Sequence, residues 1–175
     1  MNLGLLLTMT EPPVAMEEEF NAWYDSEHLP ERLSIRGFRS ARRWVAPKAR
    51  GQGIYLATYE LDSQAVLQSK EYLAFLNKPT PWTKRCLDKT VVFRRWAMEQ
   101  LAPGMADPHA GASALILVCS DSPTAEWTVP GALQARHFID QQGKPPFVAL
   151  FELAKPVPPP SLPSGALVRL YEAYR

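Results

Sequence analysis

The chain has 175 residues, of which 46% are hydrophobic and 21% charged, and its formal net charge is +1. That size and balance fit one domain, or two small halves sharing a core, and exclude a disordered chain. A near-neutral charge argues against a nucleic-acid partner and against an anionic membrane surface.

The apolar opening MNLGLLLTMT has no basic leader or following cleavage site and is too short to span a membrane. It reads as a strand, and a cytoplasmic protein is expected. Cys86 and Cys119 lie far apart with no metal-ligand spacing, so both read as buried free thiols. Periodicity then gives the element order. Residues 2–8 are a first strand, residues 14–33 are helical, and residues 38–45 and 54–61 are strands. Residues 64–76 are a second helix with Ser63 as its N-cap. KPTPW breaks that helix, residues 83–87 make a further helical turn, and residues 91–98 are a fourth strand. This is β-α-β-β-α-β, the ferredoxin-like order.

The rest of the chain echoes those strands. GFRSARRWV from Gly37 matches GALQARHFI from Gly131, and YLATYEL from Tyr55 matches FVALFEL from Phe147. LLLT from Leu5 matches LILV from Leu115, and FRRWA from Phe93 matches VRLYE from Val168. In chain order the offsets are about 110, 94, 92 and 75 residues. The hairpin spacing is kept, while each helix-bearing connection shrinks by about one helix length. The pattern predicts an internal duplication: a ferredoxin-like half over residues 1–101, a linker over 102–112, and a degenerate four-stranded half over 113–175. The 17 prolines include the run KPVPPPSLPSG, which reads as an extended spacer where the second helix of the copy would be.

Each sheet has two faces to cover. Leu56, Phe93 and Trp44 are assigned to one parity of the first sheet, and Tyr55, Tyr59 and Trp96 to the other. Packing the two open faces together predicts an eight-stranded, barrel-like pseudo-dimer of α+β class. The outer face of the second sheet then needs cover from the proline spacer, the linker or another chain.

The stretch FNAWYDSEHLPERLSIRGFRSARRW resembles dimeric α/β-barrel proteins of the EthD-like group. The resemblance rests on Trp23, Tyr24, Glu27, His28 and Pro30, then Gly37, Phe38, Ser40, Ala41, Arg42 and Arg43, and extends over roughly the first hundred residues. It implies a small-molecule pocket between helix and sheet. The superfamily includes cofactor-free monooxygenases, polyketide cyclases, isomerases, dehydratases and haem-dependent enzymes, so the resemblance implies a pocket and not a reaction.

Tyr24 and His28 are four residues apart and share a helix face. Pro30 is expected to end that helix near Leu29, which puts His28 in its last turn. Two readings follow: His28 caps the helix and pairs with Asp25 or Glu27, or it is an acid–base imidazole at a pocket mouth, tuned by a carboxylate. Tyr24 either packs on the sheet or orients His28 and a ligand. Trp23 reads as core, and with Trp96 it is also a candidate to line the substrate site.

Arg42 and Arg43 leave opposite faces of their strand, so one should point inward. It would form an Arg–Glu pair, with Glu60 and Glu152 available, or hold a substrate carboxylate or phenolate. His109 reads as solvated, and His137 supports haem binding only as a minor alternative. No nucleotide, zincin or hydrolase motif is present. The expectation is a protein that binds a small aromatic or polyketide-like molecule and uses His28 and Tyr24 for proton transfer, with no cofactor or metal. The alternative is a non-catalytic binding or assembly protein, and a homodimer is left open.

Overall fold

A computed structural model describes residues 2–161 and 165–174. The strands are β1 (Gly4–Glu11), β2 (Phe38–Val45), β3 (Tyr55–Leu61), β4 (Val91–Ala102), β5 (Ala114–Ser120), β6 (Ala132–Ile139), β7 (Phe147–Leu153) and β8 (Leu167–Ala173). They close into a barrel in the order β1-β3-β2-β8-β5-β7-β6-β4. The fold is α+β and has the dimeric α/β-barrel architecture. Around the ring, β4-β1-β3-β2 is followed by β8-β5-β7-β6, the same order repeated. Among the described residues, all helices precede β4.

The first helical stretch differs from expectation. It does not end at Pro30. α1 (Glu17–Trp23) passes through a π-helical turn (Tyr24–His28) into α2 (Leu29–Ser34). Proline has no N–H, and its ring collides with the carbonyl four residues back in a regular helix. In the π turn the Leu29 N–H bonds to the Tyr24 carbonyl, one residue further back than usual, and this wider turn absorbs the misfit. Gly37 then turns the chain into β2 with φ 95°, and its missing Cβ leaves room for Val66.

The second helix is also split. Ser63 makes no capping bond, and residues 64–68 form a 3₁₀ segment. Ser69 is the cap of α3 (Lys70–Asn77), its hydroxyl accepting the Tyr72 N–H at 3.1 Å. Extended backbone at Ser69 interrupts one helical run and starts another. Thr80 caps α4 (Pro81–Leu87) in the same way, accepting the Thr83 N–H at 3.0 Å.

Strand register fixes which side chains share a face. Leu5, Leu7 and Met9 of β1 lie opposite Glu60, Thr58 and Leu56 of β3, and opposite Met98, Trp96 and Arg94 of β4. These positions point into the barrel. Tyr55, Ala57, Tyr59 and Leu61 alternate with them and face the helices. Trp96 therefore does not share a face with Tyr55 and Tyr59. It lies in the barrel, where its Nε1 donates to the Pro145 carbonyl at 3.0 Å. Trp44 is also inside, donating to Thr58 Oγ1 at 3.1 Å.

The barrel encloses one ionic cluster. Arg136 donates to both carboxylate oxygens of Glu60, at 2.8 and 3.0 Å, and through Nε to Glu152 at 2.8 Å. All three residues are at most 2% exposed. An arginine does pair with Glu60 and Glu152, but it is Arg136 and neither Arg42 nor Arg43.

The outer face of the second sheet (Ala114, Ile116, Val118, Ala149, Phe151, Leu153) is covered by Trp127 and Val129 of the β5–β6 connection and by Val157 of the proline-rich run. His137 belongs to this face, with Nδ1 3.0 Å from Thr124 Oγ1. Both cysteines are buried and free. Among the described residues no helix is long and apolar enough to cross a membrane, and no acidic, histidine or cysteine cluster could hold a metal ion.

Removing Arg136 strands two buried carboxylates. Arg136→Met should cost about 3–5 kcal/mol in urea unfolding, and replacing Glu60 and Glu152 by Leu in the same chain should recover most of it. A single-variant cost below about 1 kcal/mol would show that the cluster is solvated.

Candidate functional site

Two layers of chemistry meet on the helix side of β2 and β3. The first is aromatic. Phe20, Trp23 and Tyr24 are all buried. The His28 ring lies 4.5 Å from Trp23 and 4.9 Å from Tyr24, centroid to centroid. The Tyr24 and Tyr59 hydroxyls are 2.7 Å apart. Burial raises the pKa of both tyrosines, so the contact joins two neutral phenols.

His28 is neither a cap nor at a pocket mouth. It is 9% exposed and enclosed by rings. The expected carboxylate partners are engaged elsewhere. Asp25 accepts from Arg43 at 2.6 Å, while Glu27 accepts from Thr80 at 2.5 Å and Thr83 at 3.1 Å. Glu27 thus staples the helix to α4, where Thr83 also accepts from Trp23 Nε1 at 3.1 Å. Burial, then the charges of Arg32 and Arg43, lower the His28 pKa to about 3. The imidazole is neutral across the physiological range.

The second layer is built on Arg43, which lies between the Tyr24 and Tyr174 rings at 4.4 and 4.0 Å from their centroids. One guanidinium nitrogen holds Asp25 and the other donates to Asn21 Oδ1 at 2.5 Å. Asn21 in turn donates to the Tyr55 hydroxyl at 3.0 Å, and Tyr55 donates to Glu17 at 2.7 Å. Burial first, with the Glu17 charge adding, pushes Tyr55 up to about 12. Arg43, opposite Ala57, is the arginine that faces the helices. Arg42 leaves the opposite face, is half-buried, and donates to the His109 carbonyl at 3.2 Å.

Beside Arg43 a cavity of about 430 Å³ opens. Asp25, Leu29, Arg42, Arg43, Trp44 and Tyr174 line it, with alanines of β2, β8 and the linker. Its place follows from the β2–β8 seam. Among the described residues, the β2–β8 ladder joins Trp44 to Ala173 and Val45 to Glu172. The Tyr174 N–H then donates to the Arg43 carbonyl at 3.0 Å, and side chains from both faces of β2 reach one opening.

Of the sequence-derived site residues, the cavity brings together Arg42 and Arg43. Trp23, Tyr24 and His28 form the packed layer behind it, and Trp96 lies across the sheet inside the barrel. Tyr174 carries no local motif. The one available signal was its place just after the repeat of the fourth strand. Asp25 was legible as a charged neighbour of His28, but its partner is a strand residue 18 positions away.

No family model matches the chain. Core atranone cluster protein 1 of Stachybotrys chlorohalonatus is 32% identical over 80 residues, covering 45% of this chain. The match spans about a third, 34%, of that relative's length. Among solved structures, an anthrone oxidase-like protein superposes with a TM-score of 0.58 at 11% identity, covering 99% of this chain and 92% of its own. A chlorite dismutase variant from Candidatus Nitrospira defluvii, in complex with cyanide, gives 0.55 at 8% identity, covering 87% of this chain and 77% of its own. The likenesses and the closed antiparallel ring agree: the chain has the fold of the dimeric α/β-barrel superfamily.

Two measurements test the packed layer. His28 has a folded pKa below its unfolded value of 6.5, so the unfolded chain binds the extra proton between about pH 3 and 6.5. Its contribution to stability is fully present above pH 6.5 and is lost as pH falls to about 3. That interval is worth roughly 5 kcal/mol, and His28→Leu should flatten the acid limb of stability against pH by a comparable amount. An unchanged acid limb would place His28 in water. Tyr24→Phe leaves the Tyr59 hydroxyl buried without its partner and should cost about 1–3 kcal/mol, while the double Phe variant should regain much of the loss.

Proposed function

We propose that this protein binds a small aromatic or polyketide-like molecule in the 430 Å³ cavity at the β2–β8 seam and moves a proton on it without a cofactor. The observation that carries the reading is the cavity's lining. Leu29, Trp44 and the alanines offer an apolar seat. Arg42 and Arg43 offer charge for a phenolate or enolate oxygen. Asp25 is a carboxylate at the same opening, about half exposed and oriented by Arg43. Proton transfer suits Asp25 better than His28, because Asp25 reaches the cavity and His28 does not. A carboxylate is a weak base, which fits hydrogens already made acidic by flanking carbonyls.

The non-catalytic alternative keeps the cavity and drops the proton step. Both readings include the division at residues 102–112, since Ala110 and Ala112 of that linker form one wall. The repeated strand order supports an origin of residues 113–175 as a duplicated, helix-poor copy. Because one chain closes the ring, a second copy is not needed to complete the barrel.

Titration with 1,8-dihydroxyanthrone, followed by quenching of the intrinsic tryptophan fluorescence, tests the site. Binding should weaken at least tenfold in Arg42→Gln, the loss of a charge-assisted contact. In deuterated water the wild type should accelerate exchange of the ligand's C–H protons, and Asp25→Asn should not. Binding without accelerated exchange would favour the non-catalytic reading. No binding would remove the proposal for this ligand class.

A further inference from the structure

Among the described residues three arginines are buried: Arg32, Arg43 and Arg136. Two have carboxylate partners, Arg43 with Asp25 and Arg136 with Glu60 and Glu152. Arg32 differs. It is 7% exposed, and among the described residues no carboxylate lies within ion-pair distance of its guanidinium. Its Nη1 is enclosed with no acceptor. Four residues before it on the helix, His28 Nδ1 is enclosed without a partner as well. A buried unpaired guanidinium is costly, and most buried polar atoms in folded proteins are satisfied. These two orphaned groups lie about one turn apart on the same helical stretch.

We propose that Arg32 and His28 form a second ligand site, distinct from the seam cavity, which receives the carboxylate of a small aromatic acid. The charge count selects a monoanion: one guanidinium forms the ion pair, and the imidazole donates a neutral hydrogen bond through Nδ1. The walls select an aromatic body. Arg32 lies over the Tyr72 ring at 5.4 Å, Tyr72 stacks on Phe38 at 5.8 Å, and Phe38 meets Tyr59 at 6.0 Å. Arg32 sits in α2, a six-residue segment whose Leu33 and Ser34 are exposed, so entry requires displacement of one short turn. The seam cavity lies on the neighbouring face of the same helix, lined by Asp25 and Leu29.

Salicylate is the probe, salicylamide its neutral control, and the full chain the protein. Salicylate should raise the melting temperature in proportion to log concentration and shift the His28 imidazole ¹⁵N resonances, whereas salicylamide should do neither. Arg32→Met should raise the ligand-free melting temperature, because it removes an unpaired buried charge. It should also weaken salicylate at least tenfold. A residue that only holds the fold would shift stability the other way. Should Arg32→Met fail to fold, Arg32→Lys, which keeps the charge but loses the fork, should bind salicylate several-fold more weakly than wild type. Arg42→Gln should bind salicylate as wild type does. The proposal is overturned if salicylate does not bind, if salicylamide binds equally, if neither Arg32 variant weakens binding, or if Arg42→Gln abolishes it. The last result would place the acid in the seam cavity and leave the reading of that cavity intact.

Discussion

A four-stranded antiparallel sheet leaves two rows of unpaired amides at its edges and an apolar face that the helices do not cover. Here both problems are solved by closing two such sheets into one ring. Pairing of β2 with β8 and of β4 with β6 consumes the edges, and the uncovered faces become the barrel interior. The closure is uneven. Among the described residues the β2–β8 ladder covers two residue pairs; beyond it the Tyr174 N–H bonds the Arg43 carbonyl, the Arg42 side chain reaches the His109 carbonyl, and a gap opens beside the linker. The candidate site occupies that gap, so the cavity is a consequence of how the ring is joined.

Charge is distributed around that constraint in three ways. Inside the ring, Arg136 bridges carboxylates of both halves, Glu60 from β3 and Glu152 from β7, and gives the apolar interior a directional contact. At the seam, Arg43 binds helix, β2 and the chain's last described residue through one carboxylate and two aromatic rings. Under the helix, Arg32 has an aromatic neighbour and, among the described residues, no counter-ion. The first two arrangements hold elements together. The third does not, which is why it directs attention to a ligand.

The π turn at Tyr24–His28 links local sequence to this chemistry. Pro30 prevents a regular helix through Ser34, and the widened turn keeps the chain helical past it. Tyr24, His28 and Arg32 therefore continue on one face toward the sheet, while Asp25 and Leu29 turn toward the cavity. Had the helix stopped at Leu29, His28 would lie in its frayed last turn, in contact with water and free to protonate.

The strand count and their order along the chain were legible because alternation and turn residues are local signals. The choice of Arg43 over Arg42 as the helix-facing arginine was not, since period two only says that they oppose each other. Nor was the face of Trp96, because period two relates residues within one strand and says nothing of how β4 is registered against β3. Sequence alone determined the strands, because propensity and periodicity act over a few residues. Tertiary structure decided what His28 is. Its pKa, its lack of a partner and its distance from the cavity come from Trp23, Tyr24, Tyr59 and Arg32 packed around it, and burial is a property of the whole fold.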